Sequence, residues 1–209
     1  METYLRDPEE IYRRSFAIVR QETSLNGLPS DIIEIAVRLV HACGMPEIVT
    51  DLAWSRDFVI EASGALRSGR PIVTDVHMTK SGIIQNRLPK NNPVYCAISC
   101  IDAIAEAKRR GTTRSSIAIE KLTAYWSKGI LVIGSAPTAL FRVLELIENG
   151  ATPPAAIIGF PVGFVGATES KDALINRSLK IPYLALRGRK GGSALAAATV
   201  NALCGLIKG

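Results

Sequence analysis

Apolar positions in the first third of the chain recur at helical spacing. Ile11, Phe16, Ile18 and Val19 predict a helix over 9–22. Asn26-Gly27 and Pro29 then mark a turn. Ser30 is placed to cap a second helix over 31–43, with Asp31 in its first turn and Gly44 as its stop. Ser55 or Asp57 is placed to cap a third, which runs to Arg67 and ends at Ser68-Gly69. Beyond this point the pattern changes. Short continuous apolar runs over 71–75, 94–98, 130–133, 155–158 and 183–186 read as strands buried on both faces. Helices are predicted over 102–110, 115–127, 137–148, 170–179 and 193–207. Gly111, Gly129 and Asn149-Gly150 close three of them, and Pro137 sits near a first turn, where proline is tolerated.

Short apolar strands alternating with helices mean a parallel sheet covered on both sides. The expectation is an α/β, three-layer parallel-sheet domain with a helical N-terminal portion. It spans 1–209 as a single domain, without repeats or a linker. Ligands of open α/β sheets bind beyond the carboxyl ends of the strands. Four strand-end segments here are rich in glycine and polar residues: 75–82, 134–138, 159–166 and 187–193. Together they point to a shared site at one sheet edge.

Composition narrows the options. With 47% apolar and 21% charged residues the chain is ordinary globular protein. The net charge of +6 is mild and scattered, and aromatics are only 6%. No basic stripe with interleaved aromatics exists, so no nucleic-acid partner is expected. The first ten residues are polar and acidic, unlike a signal peptide. The longest nearly apolar stretch, 155–167, is broken by glycines and a proline and is too short to span a bilayer. A cytoplasmic protein without a membrane partner is expected. Cys43, Cys96, Cys100 and Cys204 form no metal-binding spacing and read as free thiols.

The candidate chemistry is sparse. Gly159, Gly163 and Gly166 have the wrong spacing for a dinucleotide fingerprint, and no phosphate-binding G-x-x-x-x-G-K-[ST] loop exists. The segment 188–193 opens a helix whose amides suit an anion, carboxylate or phosphate. Of the two histidines, His41 lies late in its helix with Arg38 one turn before it. A neighbouring cation lowers an imidazole pKa and favours the neutral ring. His77, at a strand end, is the competing acid–base candidate. Two histidines without an acidic cluster argue against a catalytic metal. The residues alone reach an α/β enzyme for an anionic small molecule.

A set of longer motifs goes further. They are Ile11-Tyr-Arg-Arg-Ser-Phe-Ala-Ile18, Val37-Arg-Leu-Val-His-Ala-Cys-Gly44 and Thr74-Asp-Val-His-Met-Thr-Lys-Ser-Gly82. Thr113-Arg-Ser115, Ala136-Pro-Thr-Ala-Leu-Phe141, the run from Gly159 to Lys171, and Gly188-Arg-Lys-Gly-Gly-Ser193 follow in order. Over essentially its whole length the chain resembles the precorrin-8X methylmutase family of cobalamin biosynthesis, which includes the cobalt-precorrin-8 methylmutases. The resemblance implies an isomerase that moves a methyl group from C-11 to C-12 of a tetrapyrrole (corrinoid) macrocycle. The product is hydrogenobyrinate or its cobalt analogue, cobyrinate. Such a shift needs no methyl donor and no redox cofactor.

The same resemblance implies that His41 is the catalytic histidine and that Ser15 and Arg38 contact substrate. His77 then loses its claim. Arg114, Lys171, Gly192 and Ser193 are further candidates for the substrate's carboxylate arms, since arginine forks and helix N-termini suit carboxylates. A homodimer is implied as well. Whether the substrate carries cobalt is left open; Gly188-Arg-Lys-Gly-Gly-Ser193 resembles the cobalt-route members slightly more. A non-catalytic corrinoid carrier on the same fold is the alternative.

Overall fold

The computed structural model describes residues 4–208. Met1, Glu2 and Thr3, part of the polar start noted above, and Gly209 lie outside the described residues. Six strands form one sheet: β1 (Leu52–Trp54), β2 (Ile72–Thr74), β3 (Val94–Tyr95), β4 (Ile130–Ile133), β5 (Ala156–Gly159) and β6 (Tyr183–Leu186). Their order across the sheet is β1-β6-β5-β4-β2-β3. All pairings are parallel except β1 with β6.

The pleat explains the apolar runs. Ile72, Ile130, Val132, Ile158 and Leu184 point to one face, and Val73, Leu131, Ile133, Ile157 and Ala185 to the other. Both faces are therefore covered, as the continuous apolar pattern requires. The first face carries α2 (Ser30–Cys43), α3 (Phe58–Arg67), α4 (His77–Gly82) and α10 (Ser193–Lys208). The second carries α6 (Arg114–Lys121), α7 (Thr123–Trp126), α8 (Pro137–Glu148) and α9 (Ala167–Asn176). This is the expected three-layer arrangement. Two helices ride outside it: α1 (Pro8–Glu22) on α2, and α5 (Ile101–Arg110) on α6.

Several boundaries differ from the expectation. Ser30 is the first helical residue of α2, Pro29 is the cap, and it is Asp31 Oδ1 that accepts the Ile32 N–H at 2.8 Å. The expected helix over 115–127 breaks at Leu122, where the Thr123 hydroxyl takes the Glu120 carbonyl. The strand expected over 94–98 holds only two residues. Strand β1, helix α4 and a 3₁₀ turn over Pro46–Asp51 lie in segments with no expected element.

The topology marks one place. From β2 the chain crosses outward to β3 and then returns to β4 on β2's other side. Connections thus leave this pair of neighbours in opposite directions. Their carboxyl ends form the crevice where open α/β sheets ordinarily bind ligands.

Candidate functional site

Helix α1 has no buried residue, yet it is apolar along one side. Tyr12, Ser15 and Phe16 are spaced three and four apart, so they share the face turned to α2. Arg38 and His41 sit one turn apart on α2 and meet them. An ion pair between Arg20 and Glu34 (2.7 Å) ties the two helices together further along.

At this seam Ser15 Oγ lies 2.8 Å from His41 Nδ1. The imidazole stacks on Tyr12 (centroids 5.5 Å apart, planes at 27°) and takes the edge of Phe16 at 5.0 Å. The Arg38 guanidinium lies 5.0 Å from the Phe16 ring centre and 5.7 Å from that of Tyr12. The ring is thus held by a hydroxyl and two aromatics beside a fixed cation. Partial burial and the Arg38 charge both lower the His41 pKa, so its neutral form is favoured near pH 7.

His41 and Ser15 open onto a groove of about 470 Å³. Leu5, Ile11, Ile18, Val19 and Val40 make its apolar wall, and Arg14, Glu22, Gly44 and Pro46 complete it. Ile11 and Ile18 are 43% and 51% exposed, an unusual amount of aliphatic surface on one short helix face.

The 3₁₀ turn joins this groove to the sheet edge. It starts at Pro46 in the groove and ends at Asp51, whose carboxylate pairs with Lys190 at 3.0 Å. Lys190 belongs to the loop 187–193, which also presents Arg187 and Arg189 to solvent. The loop that carries these three cations is therefore tied to the turn that starts in the groove.

Other expected site residues have different surroundings. Lys171 is fully buried; its ammonium donates to the Lys190 carbonyl at 2.7 Å, and burial pulls its pKa down to about 8. The Gly192 N–H donates to the Phe160 carbonyl (2.9 Å). Ser193 is buried with its hydroxyl 3.0 Å from Thr79 Oγ1. Arg114 is exposed at the start of α6, beside Thr113, whose hydroxyl lies 2.7 Å from Thr138 Oγ1 at the start of α8. His77 is exposed and bonded to Ser99 at 3.0 Å, outside the groove.

Sequence reasoning had missed Tyr12 and Phe16 as partners of the imidazole. Their spacing around Ser15 was the available signal. Asp75 appeared in that reading only as part of the strand-end segment 75–82, with no role of its own. Among the described residues, no group of three or more His, Cys, Asp or Glu is placed to hold a metal ion. No helix of the described residues is long and apolar enough to cross a membrane.

An imidazole bonded to a hydroxyl, beside Arg38 and on an apolar groove that Arg14 also lines, has the make-up of an acid–base site on an α/β scaffold, and such a groove suits a partly apolar anion. Comparison with known proteins makes this particular. The family model for precorrin-8X methylmutase matches residues 10–206. The chain is 48% identical over 200 residues to a precorrin-8X methylmutase of Pseudomonas aeruginosa, covering 96% of each chain. It is 40% identical to a cobalt-precorrin-8 methylmutase of Methanothermobacter thermautotrophicus, covering 95% of this chain and 93% of that one. The crystal structure of a precorrin-8X methylmutase from Thermus thermophilus superposes with a TM-score of 0.87 at 32% identity, covering 95% and 96% of the two chains. The chain belongs to the precorrin-8X methylmutase family, isomerases of cobalamin biosynthesis.

Proposed function

We propose that this protein converts precorrin-8X to hydrogenobyrinate by moving a methyl group from C-11 to C-12 of the macrocycle, with His41 as the acid–base residue. The observation that carries this reading is the Ser15–His41 pair, held in an aromatic bracket beside Arg38 on an apolar groove. The reaction is an isomerisation, so every atom of the substrate is kept and no donor is needed. The protein's task is to move or share a proton while the methyl changes carbons.

A neutral imidazole bears one N–H. With the Ser15 hydroxyl donating to Nδ1, that hydrogen resides on Nε2. His41 then offers a hydrogen bond through Nε2–H to the ring near C-11, keeping its proton, and so eases departure of the methyl from that carbon. Arg38 keeps the imidazole from holding an extra proton and offers a fork to a carboxylate arm. Arg114 is a second, outlying carboxylate contact. Lys171, Gly192 and Ser193 serve the same end from inside, by shaping the loop that carries Arg187, Arg189 and Lys190.

The metal-free substrate is favoured over its cobalt form. Identity is 48% and 46% to two precorrin-8X methylmutases, against 40% to the cobalt-precorrin-8 methylmutase named above. The whole chain works as one domain and as a homodimer. The four free cysteines suit a reducing compartment, the cytoplasm.

The test is to mix purified protein with precorrin-8X or cobalt-precorrin-8 and follow the visible spectrum. Conversion over many turnovers, faster with precorrin-8X, is expected. A spectral change that stops at one equivalent per site would instead mean a corrinoid carrier.

A further inference from the structure

The crevice between the carboxyl ends of β2 and β4 is filled by the protein itself. Asp75 follows β2 directly and is 1% exposed. Its carboxylate accepts the N–H groups of Gly134 (3.0 Å), Ser135 (2.8 Å) and Ala136 (2.8 Å), which follow β4 and lead into α8. Three converging amides at a helix start are a ready-made anion site. Here the anion is a side chain from about sixty positions earlier in the chain, as the residue numbers show. Burial raises the Asp75 pKa, and the three amides oppose that shift.

The carboxylate also reaches sideways. Thr79 Oγ1 lies 3.3 Å from Asp75 Oδ1 and 3.0 Å from Ser193 Oγ, the first residue of α10. Thr79 has one hydroxyl proton to share between Ser193 Oγ and Asp75 Oδ1, so the three side chains form one hydrogen-bonded chain inside the protein. Thr79 is fully buried. There is no slack at this junction: a Cβ on Gly134 would sit 2.5 Å from Thr79 Oγ1 and 2.8 Å from the Ser193 Cα. The same carboxylate thus fixes the starts of both α8 and α10. The residues just before α10 are the cationic loop 187–193, whose Lys190 is tied through Asp51 to the turn that borders the His41 groove.

We propose that Asp75 is a positioning residue for the methyl shift. It closes the ordinary ligand crevice of the fold and, through Thr79 and Ser193, holds the cationic loop where it receives the carboxylate arms of a substrate seated at His41. This rests on the function proposed above. Asp75 itself touches no substrate, so its loss should weaken substrate binding more than it slows the chemical step.

The experiment compares KM, kcat and Tm for the wild type, Asp75→Ala and Thr79→Val. Asp75→Ala leaves three amides around a space of carboxylate size. It should raise KM for precorrin-8X about tenfold with kcat within about twofold, the pattern of lost binding rather than lost transition-state contact. Its Tm should fall and be restored by millimolar formate, but not by formamide, which has the same shape without the charge. Thr79→Val removes the link to Ser193 at nearly constant volume and should raise KM several-fold, with Thr79→Ser restoring it. If Asp75→Ala proves too unstable to assay without formate, Thr79→Val carries the kinetic test alone. Unchanged KM in the folded variants, or rescue by formamide as good as by formate, would overturn the inference. A wild-type protein that converts no substrate would overturn the functional reading instead, and the two failures cannot be confused.

Discussion

His41 sits at the point where α1 covers α2, and both its burial and the Arg38 charge favour the uncharged ring. Desolvation is the larger cause and the Arg38 charge the smaller. Because the folded protein binds this proton less readily than the unfolded chain, stability should decline as pH falls below the ordinary histidine value of 6.5. Arg38→Gln removes the cation and should move the His41 pKa upward, with the acid limb of the kcat/KM profile following it. An NMR titration of the imidazole in both proteins checks this, and an unmoved or lower pKa in the variant would contradict it. The sequence made Arg38 and His41 legible as one-turn neighbours. It did not make Tyr12 and Phe16 legible, because a helical apolar stripe says which face is covered and not which side chain covers it.

Among the elements, the strands were readable because each is apolar on both faces, and a run such as Ile130-Leu-Val-Ile133 has no other economical place than a sheet interior. Strand β1 was not. It has three residues, lies between a 3₁₀ turn and a tight turn into α3, and owes its strand form to antiparallel pairing with β6, far away in sequence. Helix α4 was hidden for a related reason: six residues, mostly polar and ending in glycine, become helical where Asp75, Thr79 and α10 hold them. In the sequence, the glycine-rich strand ends point to a shared ligand site. At Gly191 the room is taken by the neighbouring loop, since a Cβ would lie 2.3 Å from the Phe160 carbonyl oxygen. Gly191→Ala should therefore cost about 2 kcal/mol, which at this chain length is a Tm drop of roughly 4–8 °C. Thermal unfolding measures it, and a variant as stable as the wild type would show that the two loops part easily.

For the molecule as a whole, the layer order and the parallel sheet were legible, whereas the filled crevice was not. A glycine-rich edge signals only that backbones approach one another. Whether the approaching partner is a ligand or the protein's own carboxylate is decided by long-range contacts. Some large apolar side chains remain uncovered. Ile101, Phe164 and Val165 are 81–90% exposed, which suits a chain that pairs with a copy of itself. Light scattering should give a particle of two 22.5 kDa chains; a monomer at micromolar concentration would contradict the homodimer.

The measurement that bears most directly on the central claim is single-turnover conversion of precorrin-8X by the wild type and by His41→Ala, with binding of hydrogenobyrinate followed in parallel. The variant should bind the product nearly as tightly as the wild type while conversion slows by about 10²–10⁴-fold, the range of a lost acid–base group. Conversion at the wild-type rate would show that the proton chemistry of this methyl shift does not depend on His41.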